Sequence, residues 1–306
     1  MTSCGGGIAK PTPFMAGNLM LDEGNPHGAL ESYERAVGEY PDDYRLIYNM
    51  GSAAHDLFLR QGDRSAPKAR AWHDRALQHY DRVLVLSPGN ARALSSRAVL
   101  MRDGGDLKAA LASLQSGAAD GEEGRVLPLW TMGTLHRDAQ QPEAAIAAFR
   151  QALDENDEHV PSVVALSSLL SELGHNEEAE AVVEAGLELV PFDSTLRMTS
   201  ARLGLARAKA ARNDKSQWVA ARRRLLLAEQ AAPGNWWTSD ALSETHAALG
   251  DTQKAVRALW RARDLATERQ FANVGLDFGA WQRGAQQRLL GLYPQLANGE
   301  PSSITP

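Results

Sequence analysis

The side chains that most often perform chemistry are sparse in this 306-residue sequence. There is one cysteine, Cys4, which excludes a disulfide framework and any zinc or iron–sulfur site built from several cysteines. The eight histidines are scattered, and none has the neighbours of a metal-ligand set. His136, Arg137 and Asp138 repeat a tripeptide of the protein-kinase catalytic loop, but the other kinase motifs are absent. We therefore expect no enzymatic activity, no metal ion and no cofactor.

Charge is distributed unevenly along the chain. The sequence carries 32 Lys and Arg against 38 Asp and Glu, a net charge of −6, so nucleic acid is not an expected partner. Residues 151–193 contain eleven acidic residues and no Lys or Arg, whereas residues 194–224 contain nine basic residues and one acidic residue. Seven of those basic residues form what we call the basic patch: Arg207, Lys209, Arg212, Lys215, Arg222, Arg223 and Arg224.

Two interpretations of this charge pattern are open. The acidic and basic segments are neighbours, so they can complement each other across a shared boundary. Alternatively, the basic patch docks an anionic partner, either an acidic protein surface or lipid headgroups. The second interpretation describes a regulatory subunit that binds its partner through residues 197–224.

The elements that position these side chains follow from a repeat. An alanine followed four residues later by a large apolar residue recurs seven times, mostly at intervals of 34 or 35 residues. A second small residue stands twelve residues before most of these alanines, and a third position, seven residues after each, is small in six of the seven repeats. Small residues at fixed places let two antiparallel helices approach closely. The seven pairs are Ala29/Tyr33, Ala76/Tyr80, Ala110/Leu114, Ala145/Phe149, Ala179/Val183, Ala221/Leu225 and Ala255/Leu259.

The ends of several helices can also be predicted. Proline closes the second helix of four repeats, at Pro41, Pro88, Pro191 and Pro233. An insertion near residues 60–70 predicts a long helix over residues 66–86, capped by Ser65, and we expect Ser216 to cap another. One further amphipathic helix, over about residues 277–292, is expected to cover the apolar face of the last repeat.

The repeat resembles the tetratricopeptide repeat family, most clearly in the segment Leu129-Trp130-Thr131-Met132-Gly133 followed by Ala145, Phe149 and Ala152. The resemblance implies an all-α fold, a right-handed α-α superhelix of about seven helix pairs with a C-terminal capping helix. The predicted organisation is a flexible lead (1–9), an array of units (10–43, 44–90, 91–125, 126–159, 160–193, 194–235 and 236–269), a capping helix (270–293) and a disordered tail (294–306).

The family resemblance also implies a function, which is binding of a peptide or protein segment in a concave groove lined by the first helices. We therefore expect a non-catalytic interaction scaffold or adaptor. Residues three and four apart share one face of a helix, which selects the groove side chains on each first helix. The candidate groove residues are Asn18, Tyr48, Asn49, His55, Arg92, Arg102, Trp130, Arg137, Asp138, Arg202 and Trp237.

One groove position is acidic in five consecutive units, at Asp22, Asp56, Asp103, Asp138 and Glu172. An acid near a helix C-terminus opposes the helix dipole at a cost of about 0.3–1 kcal/mol, so its repetition suggests a purpose. The alternatives are a ladder with Arg102 and Arg137, a site for a basic peptide, and local pairing at solvated turns.

The N-terminal segment leaves the location of the protein open between two alternatives. No basic and apolar leader precedes residue 9, and no apolar run reaches the roughly 18 residues that a membrane span needs, so we expect a cytoplasmic protein. However, Thr2-Ser3-Cys4-Gly5 resembles the end of a bacterial lipoprotein signal. In that alternative Cys4 is lipidated, and the protein is a periplasmic assembly factor for a secretion or pilus-type machine, anchored to the outer membrane.

Overall fold

A computed structural model describes residues 12–117, 124–211 and 214–292, and the regular structure within these ranges is entirely α-helical. Sixteen helices are present in the described part of the chain. They are α1 (Pro13–Asp22), α2 (Pro26–Val37), α3 (Tyr44–Leu59), α4 (Pro67–Leu86), α5 (Ala91–Asp103), α6 (Leu107–Gly117), α7 (Val126–Asp138), α8 (Pro142–Glu155), α9 (Val160–Glu172), α10 (Asn176–Leu189), α11 (Ser194–Ala210), α12 (Lys215–Ala231), α13 (Trp236–Ala248), α14 (Thr252–Leu265), α15 (Glu268–Asn273) and α16 (Phe278–Leu292).

Proline and short polar side chains determine where many of these helices begin. Pro26 and Pro67 are the first residues of α2 and α4, where a missing backbone N–H costs nothing. The Oδ1 atoms of Asn25 and Asn90 accept hydrogen bonds from backbone N–H groups in the first turns of α2 and α5, each at 3.0 Å. The long helix predicted over residues 66–86 is confirmed, since α4 spans Pro67–Leu86.

The two predicted serine caps are wrong. The backbone N–H and hydroxyl of Ser65 both donate to Asp63 Oδ1, and the N-cap of α4 is Ala66. Ser216 lies inside α12 and donates in the same way to Asp214, which is the N-cap. In both places an aspartate two residues upstream accepts hydrogen bonds from the backbone N–H and the hydroxyl of the serine, and a carboxylate is a stronger acceptor than a hydroxyl.

Consecutive helices pack in pairs: α1 with α2, α3 with α4, and so on to α13 with α14. The chain divides into two compact units, Met1–Asn156 and Asp157–Pro306, which we call unit 1 and unit 2. Unit 1 contains α1–α8 and unit 2 contains α9–α16. The division falls between the fourth and the fifth of the helix pairs.

The alanine repeat forms the core of every pair. The seven repeat alanines are all 0% exposed, and the large residues four positions later are at most 1% exposed. The small residue on the first helix lies directly against that large residue. A Cβ atom built on Gly17, Gly51 or Gly133 would lie closer than 3.0 Å to the ring of Tyr33, Tyr80 or Phe149, respectively. Glycine therefore stands opposite an aromatic ring. In the four helix pairs with leucine or valine on the second helix, this position is occupied by Ala98, Ser167, Ala201 and Ser243.

The C-terminal helices complete unit 2. Ala285 and Leu289 of α16 pack on Val256 and Leu259 of α14, in the region where the sequence predicts a covering helix. The short helix α15 was not predicted. Its Phe271 stacks on Trp236 with ring centroids 4.3 Å apart. The apolar residue of this segment therefore packs in an aromatic cluster and does not form the apolar stripe by which a helix is predicted.

Candidate binding surface

Five of the predicted groove residues lie together on one surface of unit 1. This surface is formed by the first helices α3, α5 and α7, and we call it the first-helix face. It contains two adjoining pockets. The polar pocket, of about 620 Å³, is lined by Tyr44, Arg45, Tyr48, Asn49, Asn90 and Arg92. The aromatic pocket, of about 300 Å³, is lined by Tyr48, His55, Arg92, Ser95, Ser96, Val99, Leu127, Trp130 and Thr131. Tyr48 and Arg92 belong to both pockets, so the two pockets adjoin each other.

The walls of the polar pocket are held in place by hydrogen bonds from neighbouring helices. Asn49 Nδ2 donates to Asn18 Oδ1 at 2.9 Å, and the same oxygen accepts from the hydroxyl of buried Tyr33 at 2.8 Å. Asn18 is therefore a support for Asn49 and is not part of the pocket lining. Arg92 is exposed, and no acidic side chain of the described ranges forms an ion pair with it. The pocket thus presents an amide and an unneutralised guanidinium.

The aromatic pocket is lined by the side chains of Tyr48 and Trp130 and by smaller apolar residues. The Tyr48 hydroxyl lies 2.9 Å from Ser96 Oγ, and its ring is 5.8 Å from the ring of Tyr80, so the tyrosine has a fixed orientation. Trp130 is half-buried, and its Nε1 atom has no hydrogen-bond partner in the described part of the chain. A buried donor without a partner costs about 1–3 kcal/mol.

The predicted residues near the C-terminal ends of α3, α5 and α7 form a charged ladder. His55 Nε2 lies 3.0 Å from Asp103 Oδ2, and Arg102 contacts both Asp103 at 3.0 Å and Asp138 at 2.5 Å. Arg137 Nε is 4.0 Å from Asp138. Burial raises the pKa of Asp103, but the hydrogen bond from His55 and the charge of Arg102 together bring it below its ordinary value. Three adjacent first helices are therefore joined, α3 to α5 by a hydrogen bond and α5 to α7 by an ion pair.

The remaining two groove candidates lie in unit 2 and contact each other. The guanidinium of Arg202 lies 5.1 Å from the ring centroid of Trp237, which is a cation–π contact. Trp237 also packs against the apolar core formed by α11, α12 and α13. The sequence predicts that these two residues line the same groove as Trp130. The structure shows that they contact each other, and their place in a common groove stays a prediction.

Part of the basic patch forms ion pairs inside unit 2. Arg224 contacts Glu180 at 2.9 Å and Glu184 at 2.8 Å, and Arg207 contacts Glu180 at 3.3 Å. Lys209 contacts Glu244 at 2.7 Å. The neighbouring acidic and basic segments thus complement each other at Arg207 and Arg224, whereas the partner of Lys209 lies on α13, outside the acidic segment.

Gly204 explains how Arg224 reaches its partners. A Cβ atom at this position would lie 2.8 Å from Arg224 Cδ, so the glycine makes room for the arginine to cross α11 towards α10. Lys215, Arg222 and Arg223 form no ion pair with a described acidic residue. Arg212 and Cys4 lie outside the described residues, so their predicted roles stay predictions.

Sequence reasoning missed several pocket residues. Tyr44 stands at the start of α3, four residues before Tyr48, and Asn90 is the N-cap of α5, two residues before Arg92; Arg45 follows Tyr44. Leu127 lies one turn before Trp130 and shares its face, so the spacing rule that selected Trp130 also finds Leu127.

No group of three or more His, Cys, Asp or Glu side chains in the described ranges is arranged to hold a metal ion. Among the helices that the structure describes, none has both the length and the apolar content to cross a bilayer.

Family comparison agrees with this architecture. One tetratricopeptide repeat model matches residues 14–78 and 56–123, and a second tetratricopeptide repeat model matches residues 136–203. The chain belongs to the tetratricopeptide repeat family. Tetratricopeptide repeats are generally non-catalytic scaffolds that bind protein or peptide partners. No curated protein matches the sequence of this tetratricopeptide repeat chain.

Comparison with solved structures gives distant matches. A tetratricopeptide repeat protein from Parabacteroides merdae ATCC 43184 is 17% identical, with a TM-score of 0.47, over 84% of this chain and 93% of that chain. MamA is 16% identical, with a TM-score of 0.40, over 56% of this chain and 92% of its own. The MamA RS-1 ArsTM double mutant is 16% identical, with a TM-score of 0.46, over 57% and 93%.

Proposed function

We propose that this protein is a scaffold that binds an extended segment of a partner protein on the first-helix face of unit 1. The observation that carries the proposal is that the polar and aromatic pockets adjoin on one face and share Tyr48 and Arg92. Aromatic and arginine side chains dominate the energetics of protein interfaces, and both are present here.

The chemistry of the two pockets assigns a role to each. An apolar side chain of the partner enters the aromatic pocket, where it packs against Val99, Leu127 and the ring of Trp130. A polar or acidic group enters the polar pocket beside Asn49 and Arg92. Because the walls are fixed by hydrogen bonds within the protein, the partner alone bears most of the ordering entropy.

A peptide selection tests this proposal. Peptides selected from a random phage-displayed library on the full chain would be synthesised, and their affinities measured by fluorescence anisotropy for the wild type, Arg92→Ser and Val99→Asp. We expect both variants to weaken binding by about tenfold or more, which is about 1.4 kcal/mol.

The matched control is Arg70→Ser, which removes an exposed arginine from α4 of the same unit. Circular dichroism melting would show that all three variants are folded. Selected peptides that bind Arg92→Ser and Val99→Asp as tightly as the wild type would refute the assignment of the binding surface.

A further inference from the structure

A second depression lies in unit 2, between the second helices α10 and α12. We call it the outer cleft. It has a volume of about 520 Å³, and Ser200 of α11 contributes to its lining. Its apolar lining comes from Leu187 on α10 and from Val219 and Leu227 on α12. Val219 is 46% exposed, so the cleft offers an accessible apolar surface.

Arginines provide most of the charge in the outer cleft. Arg197, Arg223 and Arg224 line it, against a single acidic residue, Glu184. Glu184 is already paired with Arg224 at 2.8 Å, and Arg224 is fixed further by buried Glu180. The acid in the cleft is therefore neutralised within the protein.

Two cations of the cleft keep their charge available. Arg197 donates through Nε to the carbonyl oxygen of Pro191 at 2.9 Å, a contact that positions the guanidinium without cancelling its charge. Arg223 is exposed, and none of the described acidic residues forms an ion pair with it. The cleft thus combines an apolar strip with positive charge that has no counter-ion in the described part of the chain.

We propose that the outer cleft binds an acidic amphipathic helical segment of a partner protein. The apolar face of such a segment would cover Leu187, Val219 and Leu227, and its flanking carboxylates would pair with Arg223 and Arg197. Leu187 and Leu227 are half-buried in the cleft rather than protruding from it. A recessed strip admits side chains of a helix, whereas a flat membrane surface contacts protruding apolar groups. The cleft is in unit 2, so the proposal stands apart from the function proposed for unit 1.

A designed probe tests the proposal. The probe is a labelled helical peptide with leucine on one face, at positions i, i+3, i+4 and i+7, and glutamate on both flanks. A matched peptide carries glutamine in place of every glutamate. Binding to the full chain would be measured by fluorescence anisotropy at low and at physiological salt. We expect the glutamate peptide to bind, the glutamine peptide to bind about tenfold more weakly, and salt to weaken binding of the glutamate peptide.

Three variants locate the binding on the cleft. Arg223→Glu is expected to weaken the glutamate peptide by about tenfold or more. Lys215→Glu makes the same charge change on the same helix outside the cleft, and we expect an affinity within about twofold of the wild type. Arg92→Ser, in unit 1, is expected to leave this affinity unchanged.

Several outcomes would overturn the proposal. They are a glutamate peptide that does not bind, a peptide that binds Arg223→Glu as tightly as the wild type, and equal losses in Arg223→Glu and Lys215→Glu. Co-sedimentation with vesicles of phosphatidylcholine and phosphatidylglycerol provides the last arm. Vesicle binding that is lost in Arg223→Glu, without peptide binding, would make the cleft a lipid site instead.

Discussion

At the scale of single residues, the helix pairs depend on a match in size between two side chains. In the fourth pair Gly133 lies against the ring of Phe149, which is fully buried. In the third pair the same two positions hold Ala98 and Leu114, both fully buried. A larger residue on the first helix is thus accompanied by a smaller one on the second, and the close approach of the helices is kept.

This match predicts the effect of a single methyl group. Gly133→Ala places a Cβ atom against the Phe149 ring, and overpacking of this kind costs about 1–3 kcal/mol, more than the gain in helix propensity. Adding Phe149→Leu recreates the Ala/Leu pair of the neighbouring repeat, so we expect the double variant to recover part of the lost stability. Urea unfolding of the two single variants and the double variant measures the coupling, and additive effects would contradict the account.

Gln140 is the one non-glycine residue with a positive φ in the described chain, at 58°. It stands in the turn between α7 and α8, where the turn between α1 and α2 has Gly24 with φ of 74°. An L-residue in this conformation costs about 1–2 kcal/mol, partly offset by the backbone entropy that glycine loses on folding. We predict that Gln140→Gly stabilises the protein by about 0.5–1 kcal/mol. An unchanged or lower Tm in thermal unfolding would show that the turn is not strained.

At the scale of elements, unit 2 joins three helices through one buried acid. Glu180 of α10 is 8% exposed and contacts Arg207 of α11 and Arg224 of α12. Removing the charge of Glu180 leaves Arg207 without the acid that it contacts and leaves Arg224 with Glu184 alone, so partly buried positive charge loses compensation. We predict that Glu180→Gln lowers the free energy of unfolding by about 1–3 kcal/mol.

Glu188→Gln is the matched control, because Glu188 is exposed on the same helix. We expect an effect within about 0.5 kcal/mol for this surface change. Chemical denaturation of both variants makes the comparison. Equal effects of the two substitutions would mean that the arginine–glutamate network contributes nothing specific to stability.

The helices were predictable because their determinants are local, and some of their ends were not. The alanine spacing and Pro67 define α4 without knowledge of the rest of the fold. Ser65 and Ser216 were mistaken for caps because the acceptor at each turn is an aspartate two residues upstream, to which the serine donates. The pairing of Arg224 was not predictable in detail, because it depends on the space above Gly204 and on the distance between α10 and α12.

At the scale of the molecule, the periodicity identified the correct face of unit 1 but not the shape of its surface. Tyr48, Asn49, His55, Arg92 and Trp130 were selected by helical spacing and line the adjoining pockets. Spacing alone does not distinguish a residue that lines a pocket from one that supports the lining, as Asn18 does. It also does not identify a charged residue that forms an ion pair with a neighbouring helix. That difference depends on side-chain rotamers and on packing between repeats.

The free energy of unfolding of the protein is expected to decrease at acidic pH. Burial, with a smaller contribution from the charge of Arg75, lowers the pKa of His79 from 6.5 to about 4. The unfolded chain therefore binds a proton near pH 6.5 that the folded chain binds only near pH 4. The contribution of neutral His79 to the free energy of unfolding is therefore complete above pH 6.5, and it is lost as the pH falls from 6.5 to 4.

We predict a loss of about 2 kcal/mol across this window, after allowance for the partial exposure of the ring. His79→Gln, which cannot titrate, should show a shallower dependence of the free energy of unfolding on pH. Urea unfolding between pH 7 and pH 4 measures both slopes. Identical slopes for the wild type and His79→Gln would contradict the assignment.

The central claim is that a partner protein contacts the first-helix face of unit 1, and photo-crosslinking in the native cell tests it most directly. A photoreactive phenylalanine analogue would replace Val99, which lines the aromatic pocket, or Val85, which is 79% exposed on α4. We expect a discrete protein adduct from position 99 that is absent from position 85. Adducts that are the same from both positions, or an adduct from position 85 alone, would contradict the claim.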